Sequence, residues 1–173
     1  MEKPLNPKRG GFMRPVPCGL FIRDFLLGRG PYGSSTIEPD VGAPQADIFM
    51  QYKEALRRAY AEDRVAKEEE KRVKKGLPPY TIEEADTRVE FHLKRFSYRH
   101  TGMTFHSFVV YFSGLQRLGW VEFTGREEPS AFQDYYPPGP PRRFFRLTAA
   151  GGAASDIAWG NPVVALYGER GGV

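Results

Sequence analysis

Residues 101–123 read TGMTFHSFVVYFSGLQRLGWVEF, and residues 142–148 read RRFFRLT. Within the first stretch, large apolar side chains recur at steps of three or four, so they fall on one face of a helix. These side chains are Phe105, Phe108, Phe112, Leu115 and Leu118. Thr101 or Thr104 can cap the start of this helix with a side-chain oxygen, and Gly119 suits the left-handed residue that ends it.

A β-hairpin is predicted after this helix. Residues 120–123 alternate apolar and polar side chains, as a half-buried strand does, and residues 144–148 form the returning strand. Gly125 begins a turn, and residues 126–141 form a long tip whose prolines cannot donate to a sheet ladder. The tip also contains three aromatic residues, namely Phe132, Tyr135 and Tyr136.

The segments GLQRLGWVEF (residues 114–123) and RRFFRLTAAG (residues 142–151) resemble the recognition helix, wing and post-wing segment of PadR-like and MarR-like regulators. Those families share a Leu-x-x-Leu-Gly ending and then an Arg-aromatic-Arg-Leu-Thr strand. The resemblance implies an α+β fold, mostly α, in which a winged helix-turn-helix carries a long inserted helix and a two-stranded wing. It also implies a DNA-binding protein that acts as a transcriptional regulator.

The resemblance places the helix from Thr104 to Leu118 in the major groove of double-stranded DNA. Its outer side chains are then expected to face bases or phosphates, and the wing arginines are expected to hold the backbone. The residues predicted to contact DNA are Arg99, Thr104, His106, Ser107, Tyr111, Arg117, Arg142, Arg143 and Arg146.

An alternative hypothesis is a winged helix that serves as a protein-interaction module or as a subunit of a larger assembly. DNA-reading helices usually offer Arg, Lys, Asn or Gln to base edges. None of the predicted outward positions is basic; they are Thr104, Ser107, Val110, Tyr111 and Gly114. Aromatic residues at a loop tip also suit the pockets of a protein partner.

The domain boundaries follow from composition. Residues 1–17 are rich in Lys, Arg, Pro and Gly, which is typical of a flexible basic tail or of an arm that touches phosphates. Residues 18–160 are predicted to form the winged-helix domain, with a first helix over 18–29 and a linker over 34–44. Residues 161–173 are predicted to form a C-terminal tail.

The predicted inserted helix spans residues 45–75 and offers an apolar stripe in its first half and charges in its second. It is the candidate surface for a homodimer or for a protein partner. Gly76 ends it, and Thr81 with Glu84 forms a capping box that begins a helix over residues 81–99. That second helix is predicted to precede the turn of the helix-turn-helix.

Composition limits the kinds of partner, cofactor and location that the protein can have. The net charge of +4 is compatible with nucleic acid, and the single cysteine, Cys18, permits no internal disulfide. No run of about 18 apolar residues exists, so no membrane segment is predicted and the expected location is the cytoplasm. Three histidines without a cysteine pair, and paired carboxylates confined to charged runs, indicate no metal, no cofactor and no catalytic residues.

Overall fold

The computed structural model describes residues 15–129 and 140–167. It is an α+β structure, mostly helical, with a small antiparallel sheet of three strands, so the predicted class is confirmed. The helices are α1 (Cys18–Leu27), α2 (Gln45–Lys74), α3 (Ile82–Leu93), α4 (Phe105–Arg117), α5 (Ala149–Ala153), α6 (Asp156–Gly160) and α7 (Pro162–Tyr167). The strands are β1 (Ala43–Pro44), β2 (Val121–Glu128) and β3 (Arg142–Leu147), and a 3-10 helix spans Tyr98–Thr101. Most of the predicted basic tail and the aromatic residues of the tip lie outside the described residues.

The chain forms two compact units. The hairpin unit contains Ala55–Thr101 and the described residues 15–17. The sheet unit contains Cys18–Glu54 and the chain from Gly102 onward. Helix α2 begins in the sheet unit and continues into the hairpin unit. The sequence predicted one domain with an insertion over 45–75, whereas the structure separates residues 55–101.

The hairpin unit pairs the second half of α2 with α3. Its core contains Ala61, Val65, Val89 and Leu93, with Tyr80, Ala85 and Phe96 packed against them. As predicted, α2 ends at a left-handed glycine, since Gly76 has φ +78° and the N–H of Leu77 donates to the carbonyl of Arg72 at 3.0 Å. The predicted capping box is also present, because Thr81 and Glu84 exchange side-chain and backbone hydrogen bonds.

Helix α3 is shorter than predicted. It ends at Leu93, six residues before the expected end at Arg99. The guanidinium of Arg57 donates to the carbonyl of Leu93 at 2.9 Å, which satisfies a group that a longer helix would use for its own ladder. The chain then turns through the 3-10 helix and reaches Gly102 in a left-handed conformation with φ +74°.

A carboxylate of α2, Glu68, forms hydrogen bonds with two side chains of α3 inside the hairpin unit. Arg88 donates two hydrogen bonds to Glu68, at 3.0 and 3.1 Å, and Nε2 of His92 lies 2.7 Å from Oε1 of Glu68. The hydrogen bond from Arg88 lowers the pKa of Glu68, burial opposes this effect, and His92 adds a smaller lowering contribution. The charged form of Glu68 therefore stabilises the folded hairpin unit.

We expect acid to weaken the hairpin unit through Glu68. Because the folded pKa of Glu68 lies below its usual 4.5, its contribution is present above that pH and is lost as the pH falls through the folded value. Urea unfolding followed by far-ultraviolet circular dichroism should show a midpoint that falls with pH in the wild type and falls less in Glu68→Gln. Glu69→Gln, which removes a neighbouring carboxylate that forms no ion pair among the described residues, should keep the wild-type pH dependence. Equal slopes in the wild type and Glu68→Gln would contradict this assignment.

Helix α4 of the sheet unit follows the sequence pattern closely. Thr104 is its N-cap and accepts a hydrogen bond from the N–H of Ser107 at 3.1 Å. Phe108, Phe112 and Leu115 are fully buried. Gly119 ends the helix with φ +73°, as predicted. The exception is Phe105, which is 46% exposed and contacts the ring of Phe49 at 5.3 Å.

The sheet has one more strand than predicted. Its order is β1-β3-β2, and the pairing places Phe123 opposite Phe145 and Ala43 on the other side of Phe145. Strand β1 falls in the segment 34–44 that was predicted to be a linker. It lacks a sequence signature because it has two residues, one of them a proline at the sheet edge, where its missing N–H is tolerated.

Strand β2 is longer than predicted. The chain does not turn at Gly125 but continues to Glu128, with an irregularity in the β2–β3 pairing between Phe123 and Glu127. Gly125 has φ +87° within this irregularity, which is typical of a bulge that uses glycine to accommodate an extra residue.

Three short helices, α5, α6 and α7, follow β3 in the sheet unit. Trp159 is fully buried, contacts the ring of Trp120 at 4.7 Å and donates its indole N–H to the carbonyl of Gly151 at 2.9 Å. The predicted tail begins with a helix instead, since α7 packs against both α4 and α6. Residues 168–173 lie outside the described residues.

Candidate nucleic-acid interface

The inner face of α4 is held by the beginning of α2 and by the sheet. The ring of Phe108 lies 5.2 Å from Phe49 and 6.5 Å from Tyr52, and Phe112 contacts Phe145 at 5.0 Å. Buried side chains at steps of three and four make this packing possible. This packing fixes the rotation of α4 about its axis, and it therefore determines which side chains lie on the opposite face.

A buried lysine positions the turn that leads into α4. Lys53 is 7% exposed, and its ammonium donates to the carbonyl of Met103 at 2.7 Å and lies 5.6 Å from the ring centre of Phe49. A charge removed from water needs such partners. Sequence reasoning missed this role, because Lys53 falls in a helical segment where a solvent-facing lysine is the ordinary expectation.

The outer face of α4 is exposed and carries no carboxylate. Its exposed residues, with the N-cap, are Thr104, Phe105, His106, Ser107, Val110, Ser113, Gln116 and Arg117. Four of them follow steps of four, three and four along one stripe, which we call the outer stripe: His106, Val110, Ser113 and Arg117. Among the described residues, Arg117 has no ion pair. Thr104, His106, Ser107 and Arg117 therefore stand where the sequence placed them, and Ser113 could have been found from the same helical spacing.

Tyr111 does not face outward as predicted. Its side chain packs towards α1, where its hydroxyl forms a hydrogen bond with the backbone of Gly19 and lies near the thiol of Cys18. Burial raises the pKa of Tyr111, and the nearby Cys18 raises it further. Gly114 is half-buried next to Leu166 of α7. This side of α4 is largely covered by the rest of the same unit, so Tyr111 does not belong to the exposed face.

The wing arginines all contact carboxylates of the sheet unit. Arg142 pairs with Asp47, Arg143 pairs with Glu127 at 3.1 Å, and Arg146 pairs with Glu122 at 2.9 Å. Strand pairing causes the last two contacts, because it sets Arg143 opposite Glu127 and Arg146 opposite Glu122. A phosphate would have to compete with these carboxylates.

The positive charge of the protein is distributed unevenly. Among the described residues, the sheet unit has eight Lys and Arg against nine Asp and Glu, whereas the hairpin unit has twelve against nine. Residues 91–121 contain no Asp or Glu, but they contain four Lys or Arg and all three histidines. The acid-free run includes α4 in one unit and the end of α3 with the 3-10 helix in the other.

Three exposed cations follow α3 within six positions of its last residue, and we call them the basic end: Lys94, Arg95 and Arg99. Within the part of the chain that the structure describes, none of the three has an ion pair. The guanidinium of Arg95 lies 4.1 Å from the ring centre of Phe91, which is 37% exposed. An arginine stacked on an exposed aromatic ring keeps its N–H groups available to a phosphate. Of these residues, Arg99 was a predicted site residue.

Within the described ranges, no helix is both long and apolar enough to cross a membrane, and no three His, Cys, Asp or Glu side chains gather as a metal site. The fold and the interface define an α+β protein with an exposed, acid-free helix beside a three-stranded sheet. Comparison with family models, with curated proteins and with solved structures finds no match.

Proposed function

We propose that the sheet unit is a winged helix that binds double-stranded DNA through α4, and that the protein is a transcriptional regulator. The single observation that carries this proposal is the outer face of α4, which is exposed, free of carboxylates and ends in Arg117, a cation without an ion pair among the described residues. DNA is a polyanion, so a helix that enters its groove must avoid like charge. The element order α1-β1-α2-α4-β2-β3 in this unit, with β1 paired to β3, supports a winged helix.

The proposal changes which helix precedes the turn. In this proposal α3 does not serve as the helix before the turn, because it belongs to the hairpin unit. The beginning of α2 contacts α4 through Phe49 and Tyr52, which suits the first helix of a helix-turn-helix. Residues 55–101 are then a helical insertion between the two helices of the motif.

The proposed contacts follow from exposure. Thr104 and Ser107 lie at the beginning of α4, where hydroxyl groups and backbone N–H groups suit phosphate. His106 and Arg117 lie at the two ends of the outer stripe, and Arg117 can donate two hydrogen bonds to a guanine. Tyr111 has no part in this proposal, because its hydroxyl is turned towards Gly19.

Binding of the full chain to a mixed-sequence duplex, measured by fluorescence anisotropy across a salt series, tests the proposed function. We expect binding that weakens linearly in a plot of log K against log salt. Absence of binding to any duplex at about 50 mM salt and micromolar protein would overturn the proposal, because non-specific binders register under such conditions.

The ion pairs of the wing provide a separate prediction. Replacing both Glu122 and Glu127 by glutamine should free Arg146 and Arg143 for phosphate and steepen the salt slope by about 1.8. The matched control is Glu62→Gln with Glu69→Gln, which changes the net charge equally in the hairpin unit. If both double variants change the slope equally, the wing arginines do not contact phosphate.

A second candidate function is a protein-interaction module. Four exposed apolar side chains on α6 and α7 favour it: Ile157, Val163, Val164 and Tyr167, which are 89%, 54%, 59% and 51% exposed. A pull-down that retains no partner, together with tight DNA binding, would remove this candidate.

Three further expectations stay predictions. They are a homodimer or partner contact through residues 45–75, a cytoplasmic location and the absence of catalysis.

A further inference from the structure

One residue of the outer stripe does not suit a general phosphate contact. Val110 is 57% exposed and lies near the middle of the exposed face of α4. It lies four residues after His106 and seven before Arg117, so about 6 Å and about 10 Å separate it from the two polar ends of the stripe along the helix axis. Ser107 and Ser113, its neighbours on the helix surface, are small and exposed. The isopropyl group of Val110 is therefore unobstructed and projects between groups that can donate hydrogen bonds.

On the floor of the major groove, the 5-methyl group of thymine is the one group that suits an apolar side chain such as Val110. Guanine, cytosine and adenine present hydrogen-bonding groups there, whereas thymine also presents a 5-methyl group. Valine can neither donate nor accept, so placing it over a cytosine amino group or a guanine carbonyl would leave that group without water or a partner. Placing it on the methyl group removes apolar surface from water on both sides.

We propose that Val110 is a specificity-determining residue that packs on the 5-methyl group of a thymine in the major groove. The inference rests on the proposed function of α4 and adds the class of base pair that the helix selects. The absence of carboxylates on the same face and the polar residues at both ends of the outer stripe support a DNA occupant for this apolar position.

The test uses the full chain and two duplexes of about 24 base pairs, alternating d(AT) and the same sequence with deoxyuridine in place of thymidine. The two differ by the 5-methyl groups. One methyl contact corresponds to about fourfold in affinity, so the wild type should bind the thymidine duplex about fourfold more tightly or better. Adding the methyl group to cytosine in an alternating d(GC) duplex should raise the affinity in the same way.

Val110→Ser removes both methyl groups of the side chain and leaves a small hydroxyl. Because the position is exposed, folding should be preserved, and the variant should bind the thymidine and deoxyuridine duplexes with equal affinity. Ser113→Ala, the control on the same stripe, should keep the wild-type ratio. Equal binding of the two duplexes by the wild type would overturn the inference, as would an unchanged ratio in Val110→Ser. Binding that ignores the methyl group leaves the proposed function standing, whereas no binding to any duplex overturns both.

Discussion

Replacing Gly42 by alanine is expected to lower the free energy of unfolding of the sheet unit by about 4 kcal/mol or more. Gly42 has φ +72°, and a Cβ at this position would lie 1.9 Å from the carbonyl oxygen of Phe145 and 2.6 Å from its carbonyl carbon. Both atoms belong to the backbone of β3, so the clash cannot be relieved by a side-chain rotation. Either β1 leaves β3 or the sheet shifts.

Gly119 supplies a matched control in the same unit. Its φ of +73° is nearly identical, but nothing lies within 4 Å of an added Cβ. Gly119→Ala should therefore cost only the left-handed conformation, about 1–2 kcal/mol. Both tryptophans, Trp120 and Trp159, belong to the sheet unit, so urea unfolding followed by tryptophan fluorescence reports on it. Equal losses in the two variants would show that β1 does not pair with β3 as described.

The second large effect is expected at the basic end. Replacing Lys94, Arg95 and Arg99 together by alanine should reduce the salt slope of duplex binding by about 2.7, if each cation contacts one phosphate. The loss of affinity between 50 and 200 mM salt would then shrink by about fortyfold. The physical reason is that these cations have no ion pair among the described residues, whereas the arginines of the wing do.

A triple variant elsewhere in the hairpin unit separates local contact from net charge. Arg64, Lys71 and Lys75 are exposed, and the structure gives them no ion pair within its described ranges, but they lie among the carboxylates of α2. Replacing these three by alanine removes the same charge. A slope that falls equally in both triple variants would mean that the hairpin unit acts through its overall charge, and the basic end would lose its assignment.

Much of the interface could be predicted from local sequence. The inward side chains of α4, its N-cap Thr104 and its end at Gly119 follow from periodicity and capping, which involve residues within about four positions of each other. The same physics predicted the end of α2 at Gly76 and the capping box at Thr81. These features need no information from distant parts of the chain.

Predictions about the face of α4 that lies opposite its buried side chains were less accurate. Helical spacing alone assigned Tyr111 and Gly114 to the outer face, but α1 and α7 cover them. A helical wheel gives the angle between two side chains, and it does not tell how wide an arc neighbouring elements will cover. The exposed face of α4 is therefore narrower than the sequence predicted.

Patterns among near neighbours were enough to predict helices α1 to α4, the β2–β3 hairpin and the α+β class. Tertiary structure alone decided the third strand, the two units and the partners of the wing arginines. Asp47 and Arg142 are 95 positions apart, and no local pattern can state that they meet. Such contacts depend on how distant segments pack, and they determine which of the arginines remain available to bind a partner.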